Sequence, residues 1–184
     1  MGNLCSDNKS CSPNAKGRNA PRDLNALLVE IRTPEDTEIS PWAKKFRSYL
    51  KENTPELEPV FDFVIVCNVL RSKENELKNV TAIKWRVVEI HKERRELLNQ
   101  IGSTFFFEDA PTPIILANRV LRDTIVGRLQ ELEKDKSLSE AYELVWQARC
   151  DYMVWKGGLD MAYQKFLRYE NRPASFVAVL MSIL

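Results

Sequence analysis

The stretch Phe61-Asp62-Phe63-Val64-Ile65-Val66-Cys67 constrains the fold of this chain more than any other. It is apolar on nearly every side, so it is satisfied only inside other structure. Its β-branched residues are compatible with a strand, but no partner strand is apparent nearby, and the expectation is a central buried helix. The longer run from Val60 to Leu70 contains Asp62 and Asn68 and falls well short of the roughly 20 apolar residues that cross a bilayer. The apolar run from Phe176 to Leu184 is also too short, and it too is expected to be a buried helix.

Helical periodicity surrounds this core from about Leu24 onward. Ser40 is a good N-cap, followed by Pro41 at a first helical position, and Trp42, Phe46, Tyr49 and Leu50 share one face of the helix they open. Pro55 and Pro59 punctuate the chain before the central run. Ile83, Val87, Ile90, Leu97 and Ile101 fall at helical spacing, with Lys92-Glu93-Arg94-Arg95-Glu96 expected on the solvated side and Gly102 at the end. Phe105-Phe106-Phe107 forms an aromatic plug and Asp109-Ala110-Pro111-Thr112-Pro113 a loop. A helix is expected over Leu116 to Leu132. Another carries the stripe Ala141, Leu144, Val145, Ala148, Tyr152 and Trp155 and breaks at Gly157-Gly158. Two short helices follow, around Tyr163–Arg168 and Pro173–Leu184. The fold class is all-α, and 184 residues at 44% hydrophobic and 29% charged suit one globular domain.

The chemistry-bearing residues are few. The net charge is +1, from 27 basic and 26 acidic residues, which argues against a dedicated nucleic-acid binder. Cys5, Cys11, Cys67 and Cys150 match no zinc or CxxC spacing, and His91 is the single histidine, expected at the surface. No metal site and no cofactor are expected. Cys67 and Cys150 read as buried structural thiols. The aromatic stripes read as core. No phosphate loop, G-x-S-x-G, H-E-x-x-H or paired-carboxylate motif is present, so no catalytic residue is assigned.

The N-terminus is more informative. Met1-Gly2-Asn3-Leu4-Cys5-Ser6 fits the N-myristoylation pattern, with Gly2 exposed by removal of Met1. One myristoyl chain binds membranes only marginally, and Cys5 beside it is placed for S-palmitoylation, with Cys11 a weaker candidate. Lys9, Lys16, Arg18 and Arg22 against Asp7 add positive charge that favours an anionic inner leaflet. Residues 1–23 are expected to be a flexible, acylated tether and 24–184 the helical domain. The expected location is the cytoplasmic face of the plasma membrane, with the cytoplasm as the other pool.

Four stretches between Trp42 and Tyr169 give the domain a family resemblance. Phe46-Arg-Ser-Tyr49-Leu50 is similar to F-x-x-F-L, and Glu58 through Cys67 to E-E-N-[LI]-x-F-W-x-A-C, matching at Phe63 and Cys67. Ile101-Gly-Ser-Thr-Phe105 followed by Ala110-Pro111 is similar to I-Y-x-x-F-[IV]-x-x-x-A-P, and Tyr163-Gln-Lys-Phe-Leu167 to Y-x-R-F-L. In this order they resemble an RGS domain (regulator of G-protein signalling). That resemblance implies a bundle of about nine helices that binds the switch regions of a GTP-loaded Gα subunit. It also implies faster GTP hydrolysis by Gα's own residues, with no side chain donated. The chain departs from the pattern at the family's switch-binding asparagines, where Val60 and Ile115 stand, and at the preceding glutamate, where Pro59 stands. Asp160 lies one residue too far from Tyr163, the loop around Gly157-Gly158 is longer, and Lys165 replaces an arginine. Asp160 and Lys165 are the candidate Gα contacts carried over. The alternatives are a non-catalytic scaffold of the same fold and an unrelated helical adaptor with an acylated tail.

Overall fold

The structure is a computed structural model that describes residues 20–31, 40–80, 83–116, 118–132, 135–154 and 158–171, with the side chains of residues 135, 136 and 154 left aside. Gly2, Cys5, Cys11, Trp155 and the expected helix Pro173–Leu184 lie outside the described residues. The described residues form seven helices and no strand. They are α1 (Leu24–Glu30), α2 (Pro41–Asn53), α3 (Glu58–Asn79), α4 (Lys84–Ile101), α5 (Arg119–Gln130), α6 (Asp135–Val154) and α7 (Leu159–Glu170). None is long and apolar enough to cross a membrane.

Local chemistry sets several boundaries. Asp23 caps α1, its Oδ1 accepting from the Ala26 amide at 2.8 Å. Ser40 Oγ accepts from the Ala43 amide at 3.3 Å, with Pro41 opening α2 as expected. Between α2 and α3 the chain makes one 3₁₀ turn, Pro55–Leu57, and Pro59 sits in the first turn of α3. Helix α5 begins at Arg119 rather than near Leu116, because Asn118 Oδ1 caps it through the Leu121 amide at 3.1 Å. After Ile101 the chain widens into a π turn, Gly102–Phe106. The glycine is needed there for space, since a Cβ on Gly102 would lie 2.6 Å from the Phe107 ring. Gly127 is different. It is inside α5 with nothing within 4 Å of an added Cβ. Gly127→Ala is therefore expected to raise stability by up to about 1 kcal/mol in urea denaturation; a lower midpoint would contradict the open space.

Helix α3 is the axis of the fold. Val60, Phe61, Phe63, Val64, Ile65, Val66, Cys67, Val69 and Leu70 are all buried, as its all-round apolarity predicts. It packs on α2, α4 and α6. Two aromatic groups hold its first half. Phe46 of α2 meets Phe61 at 5.1 Å, Tyr163 at 5.0 Å and Phe166 at 5.4 Å between ring centroids. Phe63 meets Phe105 at 5.5 Å, Phe106 at 5.7 Å and Tyr152 at 6.3 Å. Pro21, assigned from sequence to the tail, is buried, and its carbonyl accepts from Tyr163 Oη at 2.9 Å.

Two expectations are corrected here. The charged run on α4 is not solvated throughout: Arg94 is 1% exposed and forms an ion pair with Glu74 of α3. It faces inward because Ile90, Arg94, Leu98 and Ile101 share the stripe that packs on α3, whereas Ile83 is largely exposed. Outside this buried pair the same seam carries a charged ladder. Lys73 reaches Glu93 at 2.6 Å, while Arg86 pairs with Glu76 and with Glu89 at 2.5 Å. Cys150, expected inside, is exposed, because α6 turns Ala148 and Met153 to the core instead. Cys67 is buried as expected, and burial raises its thiol pKa far above the usual range.

Candidate functional site

One end of the bundle collects residues from three distant parts of the chain. Phe63 lies near the start of α3, Phe105 and Phe106 follow α4, and Tyr152 is near the end of α6. Their ring contacts bring those three termini together. The segment 107–116 crosses this end and is tied down by hydrogen bonds. The Thr112 amide and hydroxyl both donate to the Thr104 carbonyl, at 3.2 and 3.1 Å, and the Ile114 amide donates to the Phe105 carbonyl at 3.1 Å. Arg122 Nη2 donates to the Phe106 carbonyl at 3.1 Å. Tyr152 Oη donates to the Ile115 carbonyl, and burial pushes its pKa up to about 12, so it stays a donor at neutral pH.

This anchoring sorts the side chains. Ile114 and Leu116 turn inward, and Ile115 between them stands 85% exposed. Val120, at the start of α5, is 75% exposed. The result is a tethered loop offering aliphatic groups to solvent, where a partner surface would bury them. A shallow hollow of about 490 Å³ adjoins it, lined in part by Phe107, Arg122, Val126 and Gly127.

The positions singled out from sequence separate in space. Val60 is buried and cannot touch a partner. Ile115 is fully presented. Asp160 lies in the first turn of α7 and is half-buried. Burial raises its pKa, Arg149 opposes that shift, and Asp23 adds to it. Lys165 is exposed further along α7. Among the described residues no hydrogen bond, ion pair or ring contact joins Asp160 or Lys165 to Ile115. No group of three or more His, Cys, Asp or Glu side chains could hold a metal among them.

Sequence reasoning missed a second constellation beside Asp160. Arg149 is 7% exposed, and its Nε donates to Asn68 Oδ1 at 3.0 Å. The only trace in the sequence is a pair of three-residue spacings, Asn68 to Arg71 and Trp146 to Arg149, that put each pair on one helix face.

Comparison of the chain with models of protein families, with characterised proteins and with solved structures returned no match.

Proposed function

We propose that this protein is a membrane-anchored regulator of heterotrimeric G-protein signalling, an RGS-like domain that binds Gα and accelerates its GTP hydrolysis. One observation carries the reading: the segments that resemble the family, far apart in sequence, pack on one another in pairs. Phe46 lies against Tyr163 and Phe166, and Phe63 lies against Phe105. The Gα-facing surface would be the end of the bundle that presents Ile115, with Asp160 and Lys165 as charged contacts. Myristate on Gly2 and palmitate on Cys5 would hold the protein to the inner leaflet, where acylated Gα also resides. Shared confinement raises their effective concentration.

A second reading, a scaffold of the same fold that binds without accelerating, is favoured by two residues. Val60 and Ile115 stand where the family has hydrogen-bonding amides, and an aliphatic group cannot replace them. A helical adaptor tethered by the same acyl chains is the remaining alternative. Single-turnover GTP hydrolysis on a panel of Gα subunits separates all three. The expected result is a faster rate on at least one of them. Binding with an unchanged rate assigns the scaffold, and no binding in either nucleotide state removes the G-protein reading. For the anchor, clickable myristate is expected to label the wild-type chain and not Gly2→Ala; label that persists in the variant excludes Gly2.

A further inference from the structure

Two arginines meet one indole ring on the flank of the bundle, and neither is bonded to a carboxylate among the described residues. The guanidinium carbon of Arg71, on α3, lies 4.5 Å from the Trp146 ring centroid, and that of Arg149, on α6, lies 4.3 Å from it. Both cations therefore pack against the same ring, and each lies in the electrostatic field of the other. Tyr142 stacks on the same indole at 6.1 Å.

The charge balance is unusual for a buried group. A guanidinium taken out of water ordinarily gains a carboxylate. Arg94, the other deeply buried arginine among the described residues, does so with Glu74. Arg149 is nearly as buried but is bonded to the neutral amide of Asn68. Asp160 of α7 feels the Arg149 charge without bonding to it. Arg71 is exposed and likewise has no ion pair among the described residues. Burial pulls the pKa of Arg149 below its ordinary value, and the charge of Arg71 pulls it the same way. Two like charges are thus held against one ring with no carboxylate bonded to either among the described residues, Asp160 acting on Arg149 only through space.

We propose that Asn68, Arg71, Trp146 and Arg149 form an anion site that takes a phosphate monoester. Two positive charges with no bonded carboxylate suit the −1.5 to −2 of such a group, whereas a carboxylate would neutralise one. Each guanidinium offers a fork that fits phosphate oxygens. Asn68 uses its oxygen on Arg149, so its amide nitrogen remains a donor. The indole closes one side of the site to water. A soluble phosphate ester and a phosphate-bearing lipid headgroup present the same chemistry.

The test uses the full-length protein titrated with inorganic phosphate at ionic strength held constant with chloride, read by tryptophan fluorescence and thermal midpoint. A saturable fluorescence change and a rising midpoint are expected. Arg71→Gln, an exposed change, should weaken the response roughly tenfold or more. Asn68→Asp should place a carboxylate on Arg149, abolish the phosphate response and leave the phosphate-free midpoint equal or higher. No saturable response in the wild type, or a wild-type response in either variant, overturns the site. Phosphatidylcholine vesicles doped with phosphatidic acid or with phosphatidylserine, tested with the non-acylated Gly2→Ala chain, locate the source. Preference for phosphatidic acid that Arg71→Gln removes places the phosphate on a lipid. A phosphate response without vesicle preference places it on a soluble ester. Vesicle preference that survives Arg71→Gln counts against the site.

Discussion

Glu74→Ala is expected to destabilise this protein by about 3–5 kcal/mol, among the largest effects available to a single substitution. The residue is a glutamate in a helical stretch that also carries Lys73, Glu76 and Lys78, so from sequence it reads as one more surface charge. The structure puts it opposite Arg94, whose side chain is 1% exposed. The contact is ionic rather than a well-aligned hydrogen bond: Arg94 Nε and Nη2 and Glu74 Oε1 have no hydrogen-bond partner among the described residues. Only His91 Nδ1, at 3.1 Å from Arg94 Nη1, gives the guanidinium further polar company. Removing the carboxylate leaves a cation in an apolar seam, and desolvation sets the cost. The double variant Glu74→Leu/Arg94→Met removes both charges and should recover most of the loss, because two buried ions exchanged for apolar groups are close to neutral. Urea denaturation of the wild-type, single and double variants checks this, with the slope of the transition held as the control. A single variant within about 1 kcal/mol of wild type would mean that water reaches Arg94.

Phe46→Ala is expected to cost about 3–5 kcal/mol. The ring is fully buried and joins three helices, touching Phe61 of α3 and Tyr163 and Phe166 of α7 from its place on α2. Two of those contacts are edge-to-face, at 80° and 90° between planes, an arrangement favourable beyond the area buried. These three ring neighbours are themselves buried, so the cavity term adds to the lost transfer energy. For a domain of this size that loss lowers the thermal midpoint by roughly 10 °C or more. Val120→Ala, at a side chain 75% exposed, is the comparison and should leave stability within about 0.5 kcal/mol of wild type. Equal effects at the two positions would disprove the packing around Phe46.

Much of the fold was legible because its signals are local. Ser40 before Pro41 caps α2 within three residues, and the all-round apolarity of Phe61 to Cys67 is a property of consecutive side chains. Boundaries slipped where two local signals competed. Leu116 continues an apolar pattern, but Asn118 offers a better cap, and α5 starts after it. Leu116 is nonetheless buried, held in a loop rather than a helix. The candidate site was less legible. The loop around Ala110-Pro111 could be placed from sequence, but Ile115 is exposed only because Thr104, Phe105 and Tyr152 pin the residues about it. Val60 was weighed as a partner-facing position and is in the core, because the apolar face of α3 begins there.

The sequence by itself determined that the described part of this chain is all-helical and built round one apolar helix, and it carries a myristoylation pattern at Gly2. Hydrogen bonds and side-chain spacing within a few residues carry that much. Tertiary structure alone decided which charges were enclosed and with whom. Arg94 lies in a charged run and Arg149 beside an apolar stripe, and neither context names a partner. The first is buried against Glu74 of the preceding helix, and the second against Asn68 and the Trp146 ring. The physical reason is that a helix face is covered or left open by its neighbours, and electrostatic partners across α3, α4 and α6 are set by packing that no local window of residues contains.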